Sequence, residues 1–449
     1  MSTVIVAVFV LGYLAIAFEH QLRINKAASA ILIGVICWSL YIINVNQLLP
    51  SGTVPHWFEE EAKAAEVANI QQHFAIDLQL LKLTGETASI LFFLMGAMTI
   101  VELVDAHEGF VMVTNRIKAR RKSTLLWIVG FLTFFLSAVL DNLTTTIVMV
   151  SLLKKLIPNH EDRMKFAGLV IIAANAGGAW TVIGDVTTTM LWIKHKIGIV
   201  PVMQQLFVGS LVCLIVPLIG LSMSMKGDVE IAAPTKNGVD SSIRPWHQWL
   251  FLILGLGGLL SVPIFKAVTH LPPYLGMMLA LGILWVVSEF VSHTLDEETR
   301  SSTGVLAALR RVDMSSILFF LGILLAVGCL GAMGVLTAAA QWMDQTLGNR
   351  DIVAVAIGLI SAVVDNVPLV AAGIEMYTMP ENDPFWMLLA YCAGTGGSCL
   401  IIGSAAGVAA MGLEKINFLW YAKKIGTWAL AGYLAGVVVI LLQRAILGS

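Results

Sequence analysis

The chain has 449 residues, 58% hydrophobic and 12% charged, with a mean hydropathy of +0.85. Soluble domains carry about 25% charged residues, so this composition excludes a soluble protein and predicts an integral membrane one. The net charge of −2 gives no reason to expect a nucleic-acid partner. The five cysteines (Cys37, Cys213, Cys329, Cys392, Cys399) are scattered through apolar segments, with the spacing of neither a disulfide framework nor a metal site.

Apolar runs approach the roughly 20 residues of a spanning helix and no period-2 barrel pattern is present, so the fold class is all-α and polytopic. Helix one covers about Thr3 to Phe18. It resembles a leader ending at Ala15-Ile-Ala17, but no positive charge precedes it while Arg23 and Lys26 follow, which predicts a retained helix with an outside N-terminus. Helix two covers about Ala28 to Leu49. Pro50 to Glu86, carrying Glu59, Glu60 and Glu61, reads as an outside loop, and helix three covers Ala88 to Ala106. Basic residues Arg116, Lys118, Arg120, Arg121 and Lys122 then mark the cytoplasm. Ser123 to Leu156 has two apolar halves meeting at Asp141-Asn142, with Lys154 and Lys155 at its far end. Basic clusters at both ends predict a re-entrant hairpin (about 123–156) whose tip lines a cavity. The next crossing (about 165–197) is interrupted at Ala174 to Gly178 and at Gly184-Asp185, the mark of an unwound helix. Gln204 to Met225 crosses back, and the polar segment 226–245 reads as a cytoplasmic linker.

Five crossings and one hairpin in residues 1–225 would turn the second half upside down. Residues 246–449 repeat the plan: Trp246 to Lys266, Pro273 to His293, a basic loop with Arg300, Arg310 and Arg311, then Ser315 to Met333. A second hairpin follows (about 351–379, tip Asp365-Asn366), then a broken crossing (about 385–413) and a last helix to Leu442 that leaves the C-terminus outside. Three collinear matches support the repeat. Ser89 to Leu94 equals Ser316 to Leu321. Ser137 to Asn142 differs from Ser361 to Asn366 at one position. Gly177, Gly178 and Gly184 share the spacing of Gly396, Gly397 and Gly403.

The tips and breaks are rich in oxygen: Asp141, Asn142, Thr144, Thr145 and Thr146; Asn175, Thr181, Asp185, Thr187 and Thr188; Asp365 and Asn366; Thr395, Ser398 and Ser404. Carboxylate, amide, hydroxyl and freed carbonyl oxygens suit a small hard cation. A carboxylate in low dielectric is either protonated or paired with a cation, so H⁺ and Na⁺ would compete for one site, and that competition is antiport. Asp141, Asp185 and Asp365 are the candidate acids, with Na⁺ or Li⁺ and H⁺ as the transported species and no cofactor. The alternative role for these acids is helix capping. The halves are unequal, since Asp185 corresponds to Ser404 and the Thr-rich first tip to Val367-Pro368. Glu102 and His107, near the cytoplasmic end of helix three, are candidates for a proton path or pH sensor, or an interfacial cap. No P-loop, nucleophile elbow or metal-protease motif is present, which argues against ATP-driven pumping and hydrolysis.

Leu140 to Thr146, Asn175 to Asp185 with Thr187 to Thr189, and Val364 to Pro368 resemble the NhaD-type Na⁺/H⁺ antiporters of the ion transporter superfamily. The resemblance covers nearly the whole chain. It implies a scaffold and a moving transport domain, an elevator-like motion, commonly a homodimer, and a place in the cell inner (plasma) membrane. It also puts Asp141, Asn142, Asp185, Asp365 and Asn366 where the family binds its ion. Dicarboxylate symporters of the superfamily carry Ser-Asn-Thr at their tips. A carboxylate at each tip here would repel an anionic substrate. Na⁺-coupled symport of an organic anion and arsenite-type transport remain the alternatives.

Overall fold

The computed structural model describes residues 1–17, 19–50, 52–114, 119–229 and 243–447. Its helices begin where the sequence offers caps. Asn25 accepts from the Ala27 amide at 2.8 Å and opens Lys26–Ile43. Asn159 accepts from the Asp162 amide at 3.0 Å and opens His160–Gly178. Asp313 and Asp383 do the same for Met314–Ala332 and Pro384–Gly396. Each side-chain oxygen satisfies an amide that has no partner inside its helix. Proline fills the first turn at Pro245, Pro273 and Pro384, where its missing N–H is not needed.

Among the described residues, seven helices are long and apolar enough to cross a membrane: Lys26–Ile43, Ile70–Ala106, Ile199–Ser224, Pro245–Thr269, Pro273–Ser292, Met314–Ala332 and Phe418–Ile446. Helix one, Ser2–Ala17, is shorter. The two segments expected as broken crossings fall outside that set because each is split into two helices. One is His160–Gly178 followed by Val186–Ile193, and the other is Pro384–Gly396 followed by Ala405–Glu414. The segments expected as hairpins are the helices Lys122–Ser137 and Asn142–Leu156, and Arg350–Ile360 and Asn366–Met376.

Two expectations are corrected. Helix three does not begin at Ala88: a continuous helical run starts at Ile70, passes through a π-helical stretch at Ala75–Leu80 and continues to Ala106. Lys82 and Glu86 interrupt the hydropathy, but both residues favour helix and the run continues through them. The expected outside loop also holds a helix, His56–Ala64, whose Phe58 and Ala62 pack with Phe74 in a small apolar cluster. The polar stretch before the second hairpin is likewise helical, Val335–Leu347, buried on one side at Leu336 and Ala340 and exposed at Trp342. Arg116, Lys118 and most of the linker (230–242) lie outside the described residues. The start of the linker forms an isolated bridge with the residues ahead of Lys122–Ser137, the Val229 amide donating to the Arg120 carbonyl at 2.7 Å.

The chain forms two compact units. One is Met1–Phe92, Asp313–Val353 and Val367–Met379; the other is Phe93–Val312, Ala354–Asn366 and Pro380–Ser449. In the first unit, helices Lys26–Ile43 and Met314–Ala332 pack closely enough that a Cβ at Gly34 would stand 2.6 Å from the Gly322 carbonyl oxygen, and Trp38 Nε1 donates to the Leu325 carbonyl at 2.8 Å. In the second unit the two broken helices run antiparallel. Arg163 near the start of the first bonds Glu414 at the end of the second. Beyond the end of the first, the Gly198 amide donates to Asn382 Oδ1 at 2.5 Å, just ahead of the second.

Candidate functional site

Both interrupted helices carry glycines at matched close approaches. A Cβ on Gly177 would run into the Phe134 carbonyl of the first hairpin, and one on Gly396 into the Gly358 carbonyl of the second. A Cβ on Gly184 would stand 2.5 Å from the Ser137 carbonyl oxygen, and one on Gly403 would strike that of Ser361. These glycines let each hairpin lie backbone-to-backbone against its broken helix. The serines that open the repeated hexapeptide complete the match: Ser137 donates to the Ala174 carbonyl at 2.7 Å and Ser361 to the Ala393 carbonyl at 3.0 Å. The two like-spaced segments thus make like contacts. Gly396→Ala is expected to leave little folded protein, because a backbone carbonyl cannot yield as a flexible side chain can. Overpacking of this kind costs about 1–3 kcal/mol or more. A monodisperse wild-type-like elution profile for Gly396→Ala in detergent would refute this.

The breaks leave helix starts in the interior, capped by side chains. Asp141, extended at φ −76° and ψ 162°, caps Asn142–Leu156: Oδ1 accepts from the Thr144 amide at 2.8 Å and Oδ2 from the Thr144 hydroxyl at 2.5 Å. Asp185 caps Val186–Ile193 through Oδ1, which accepts from the Thr187 amide and hydroxyl, each at 2.7 Å. Ser404 caps Ala405–Glu414 at the matched position, accepting from the Gly407 amide at 3.1 Å. The capping role weighed as an alternative is therefore real for Asp141 and Asp185.

Capping does not account for what else these residues touch. Asn142 Nδ2 donates to Asp185 Oδ2 at 2.6 Å and to Asn175 Oδ1 at 2.9 Å. Asn175 Nδ2 donates to Ser398 Oγ at 2.8 Å and to Ser404 Oγ at 3.0 Å. One chain of hydrogen bonds thus joins the first hairpin tip to both helix breaks, and all five of its members are buried. The carboxylates of Asp141 and Asp365 lie near enough to interact electrostatically with Asp185. Asn366 is buried beside Asp365, and Thr145 is buried with a hydroxyl that has no partner. Every one of these residues lies in the second unit.

Other predicted residues are engaged differently. Thr188 and Thr395 donate to carbonyls of their own segments, those of Asp185 and Tyr391. His107 is buried, its Nδ1 2.9 Å from the Leu103 carbonyl and its ring stacked on Phe251 at 3.4 Å. Glu102, half-buried, interacts electrostatically with Asp105 and Arg311. The sequence reading passed over Ser137 and Ser361, although both stand in the repeated hexapeptide. Among the described residues, no three His, Cys, Asp or Glu side chains come together to hold a metal ion. A cation here would depend on amide and hydroxyl oxygens beside the carboxylates, the donor set of an alkali ion.

Comparison with known proteins places the chain in a family. The citrate transporter family profile matches residues 3–378. Sodium/proton antiporter 1 of Arabidopsis thaliana is 47% identical over 436 residues, covering 96% of this chain and 71% of that protein. Sodium/proton antiporter 2 of the same plant is 44% identical over 438 residues, 96% of this chain and 97% of that one. The Na⁺/H⁺ antiporter NhaD of Vibrio cholerae is 30% identical over 474 residues, 97% of this chain and 90% of that one. The chain belongs to the citrate transporter family, among its NhaD-type sodium/proton antiporters, and is a membrane transporter rather than an enzyme.

Proposed function

We propose that this protein exchanges Na⁺ or Li⁺ for H⁺ at the hydrogen-bonded cluster of Asn142, Asp185, Asn175, Ser398 and Ser404, with Asp141 and Asp365 alongside. The observation that carries the reading is the chain of bonds that brings a carboxylate, two amides and two hydroxyls to the helix breaks. Burial penalises a bare carboxylate, so the site holds either protons or a cation, and exchanging one for the other is the transport cycle. Relatives whose names say sodium/proton antiporter support the same ions. The two hairpins are re-entrant and the halves form an inverted repeat. The antiparallel broken helices support this, as does the way residues expected on one side meet others expected there, Lys122 with Asp162 at 2.6 Å being one case. Alternating access is elevator-like, and a site held wholly within one unit is what a carried site requires. The protein works as a homodimer in the inner (plasma) membrane, with both termini outside.

Citrate in the family's description favours a second reading, Na⁺-coupled uptake of an organic anion. Three acids at the cluster oppose it, because they would repel a carboxylate substrate. In everted vesicles carrying an imposed pH gradient, added Na⁺ or Li⁺ should collapse the gradient without any organic solute. A gradient untouched by either ion between roughly pH 7 and 9.5, where exposed carboxylates are fully ionised, sinks the exchange reading. Asp141→Asn should abolish exchange while leaving the fold intact. An asparagine there can still accept from the Thr144 amide and can donate to the Thr144 hydroxyl, so the cap survives and only the charge is lost. Retained exchange by a well-folded Asp141→Asn protein would remove Asp141 from the site.

A further inference from the structure

The pairing between the halves exposes one position that does not match. In the register that aligns Gly177 with Gly396 and Asp185 with Ser404, Asn175 aligns with Gly394. Asn175 reaches across to the second break and donates to Ser404 at 3.0 Å. Its counterpart Gly394 faces the first break with no side chain. A Cβ built there would stand 3.9 Å from Asp185 Oδ2, 3.8 Å from Thr187 Oγ1 and 3.5 Å from Ala179 Cβ.

Those distances are ordinary van der Waals contacts, unlike the collisions at Gly177, Gly396 and Gly403. Backbone crowding therefore does not demand glycine at 394. Nor does chain conformation, since Gly394 lies within the helix Pro384–Gly396 and is not among the positive-φ glycines. Glycine in a helix interior is itself destabilising relative to alanine. What the missing side chain leaves is room beside Asp185 Oδ2, the oxygen that accepts from Asn142. Two differences between the halves therefore sit together. The half that gained a carboxylate, Asp185 in place of a serine, is faced by the half that lacks the amide side chain which would have crowded it.

We propose that Gly394 sets the size of the cation admitted to Asp185, with Ala179 as the opposite wall of the same space. This rests on the exchange reading and adds a selectivity position to it. A methyl at 394 narrows the space and favours Li⁺ over the larger Na⁺, whereas removing the Ala179 methyl widens it and favours Na⁺.

The test compares wild type, Gly394→Ala and Ala179→Gly as purified full-length proteins in liposomes, measuring the KM for Na⁺ and for Li⁺ in exchange. A single methyl against a bound ligand discriminates on the order of tenfold. Gly394→Ala should raise the Na⁺ KM by about that factor with little change for Li⁺. Ala179→Gly should move the ratio the other way. Equal shifts for both ions, or none, overturn the proposal. If Gly394→Ala does not fold, an unchanged ratio in Ala179→Gly overturns it alone. Protection of the detergent-solubilised proteins against heat by NaCl and LiCl at equal ionic strength gives a second readout that needs no transport. A wild type that exchanges neither ion removes the exchange reading. A wild type that exchanges both, with variants of unchanged ion preference, removes only the role of Gly394.

Discussion

Asp185→Asn is expected to reduce Na⁺- and Li⁺-driven proton exchange to background and to weaken the fold as well. The two effects have separate causes. Loss of the carboxylate removes the group that alternates between proton and cation, and no neighbouring oxygen carries a charge to replace it within the hydrogen-bonded chain. The structural cost comes from donor arithmetic. Oδ1 accepts from Thr187 and Oδ2 from Asn142. An asparagine has one oxygen, so, with Asn142 and Asn175 held in their present orientations, its amide nitrogen faces either the Thr187 amide or Asn142 Nδ2, donor against donor. A buried unsatisfied donor costs about 1–3 kcal/mol. Asp141→Asn escapes this penalty because its partner on the second oxygen is a hydroxyl. The two variants should therefore look alike in transport and differ in thermal stability, with Asp185→Asn melting lower. Equal melting temperatures would contradict the hydrogen-bond geometry, and residual exchange in Asp185→Asn would contradict its proposed role.

The largest stability effect outside the site is expected for Arg163→Ala. Arg163 Nε donates to Glu414 Oε2 at 2.7 Å, and its Nη1 donates to the carbonyls of Ile157 and Pro158 at 2.9 and 3.2 Å. It ties the end of the first hairpin and the ends of both broken helices together. The Glu414 side chain is 1% exposed and its Oε1 has no hydrogen-bond partner, so removing the guanidinium strands a buried charge. His160 Nδ1, 3.5 Å from Glu414 Oε2, is too exposed to replace it. Breaking a buried pair from one side costs about 3–5 kcal/mol, whereas replacing both partners with apolar residues of similar volume is often neutral. Arg163→Ala should melt well below wild type, and Arg163→Met with Glu414→Met should recover most of the loss. If the single variant melts with wild type, the pair contributes nothing and this account of the junction fails.

Much of the fold was legible because membrane helices and their interruptions leave coarse marks. The helices flanking both Asp-Asn motifs, and both helix breaks, fall within a few residues of where the motifs and spaced glycines put them. Helix three was misjudged at its start because hydropathy reports solvent preference, and Lys82 and Glu86 can face outward without ending a helix. The helix Val335–Leu347 was missed for a related reason, since its polar residues share one face while Leu336 and Ala340 bury the other. At the candidate site, the repeated hexapeptide marked the two Asp-Asn positions but not what each residue within them touches. Asp141 and Asn142 are adjacent, yet the extended backbone at Asp141 turns its carboxylate back onto its own helix start while Asn142 reaches Asp185 and Asn175. Only the backbone conformation decides which neighbour faces which partner. The mismatch between Asn175 and Gly394 was visible in the repeat register, but its meaning depends on Gly394 facing Asp185, which spacing alone does not reveal.

The most direct test of the central claim is ²²Na⁺ accumulation by the purified protein in liposomes acidified inside, with membrane potential clamped and no organic solute present. The account predicts Na⁺ accumulation driven by the proton gradient in wild type, competition by Li⁺, and none in Asp185→Asn. Accumulation that requires citrate or another organic anion, or wild-type liposomes that take up no Na⁺ against an imposed proton gradient, would contradict it.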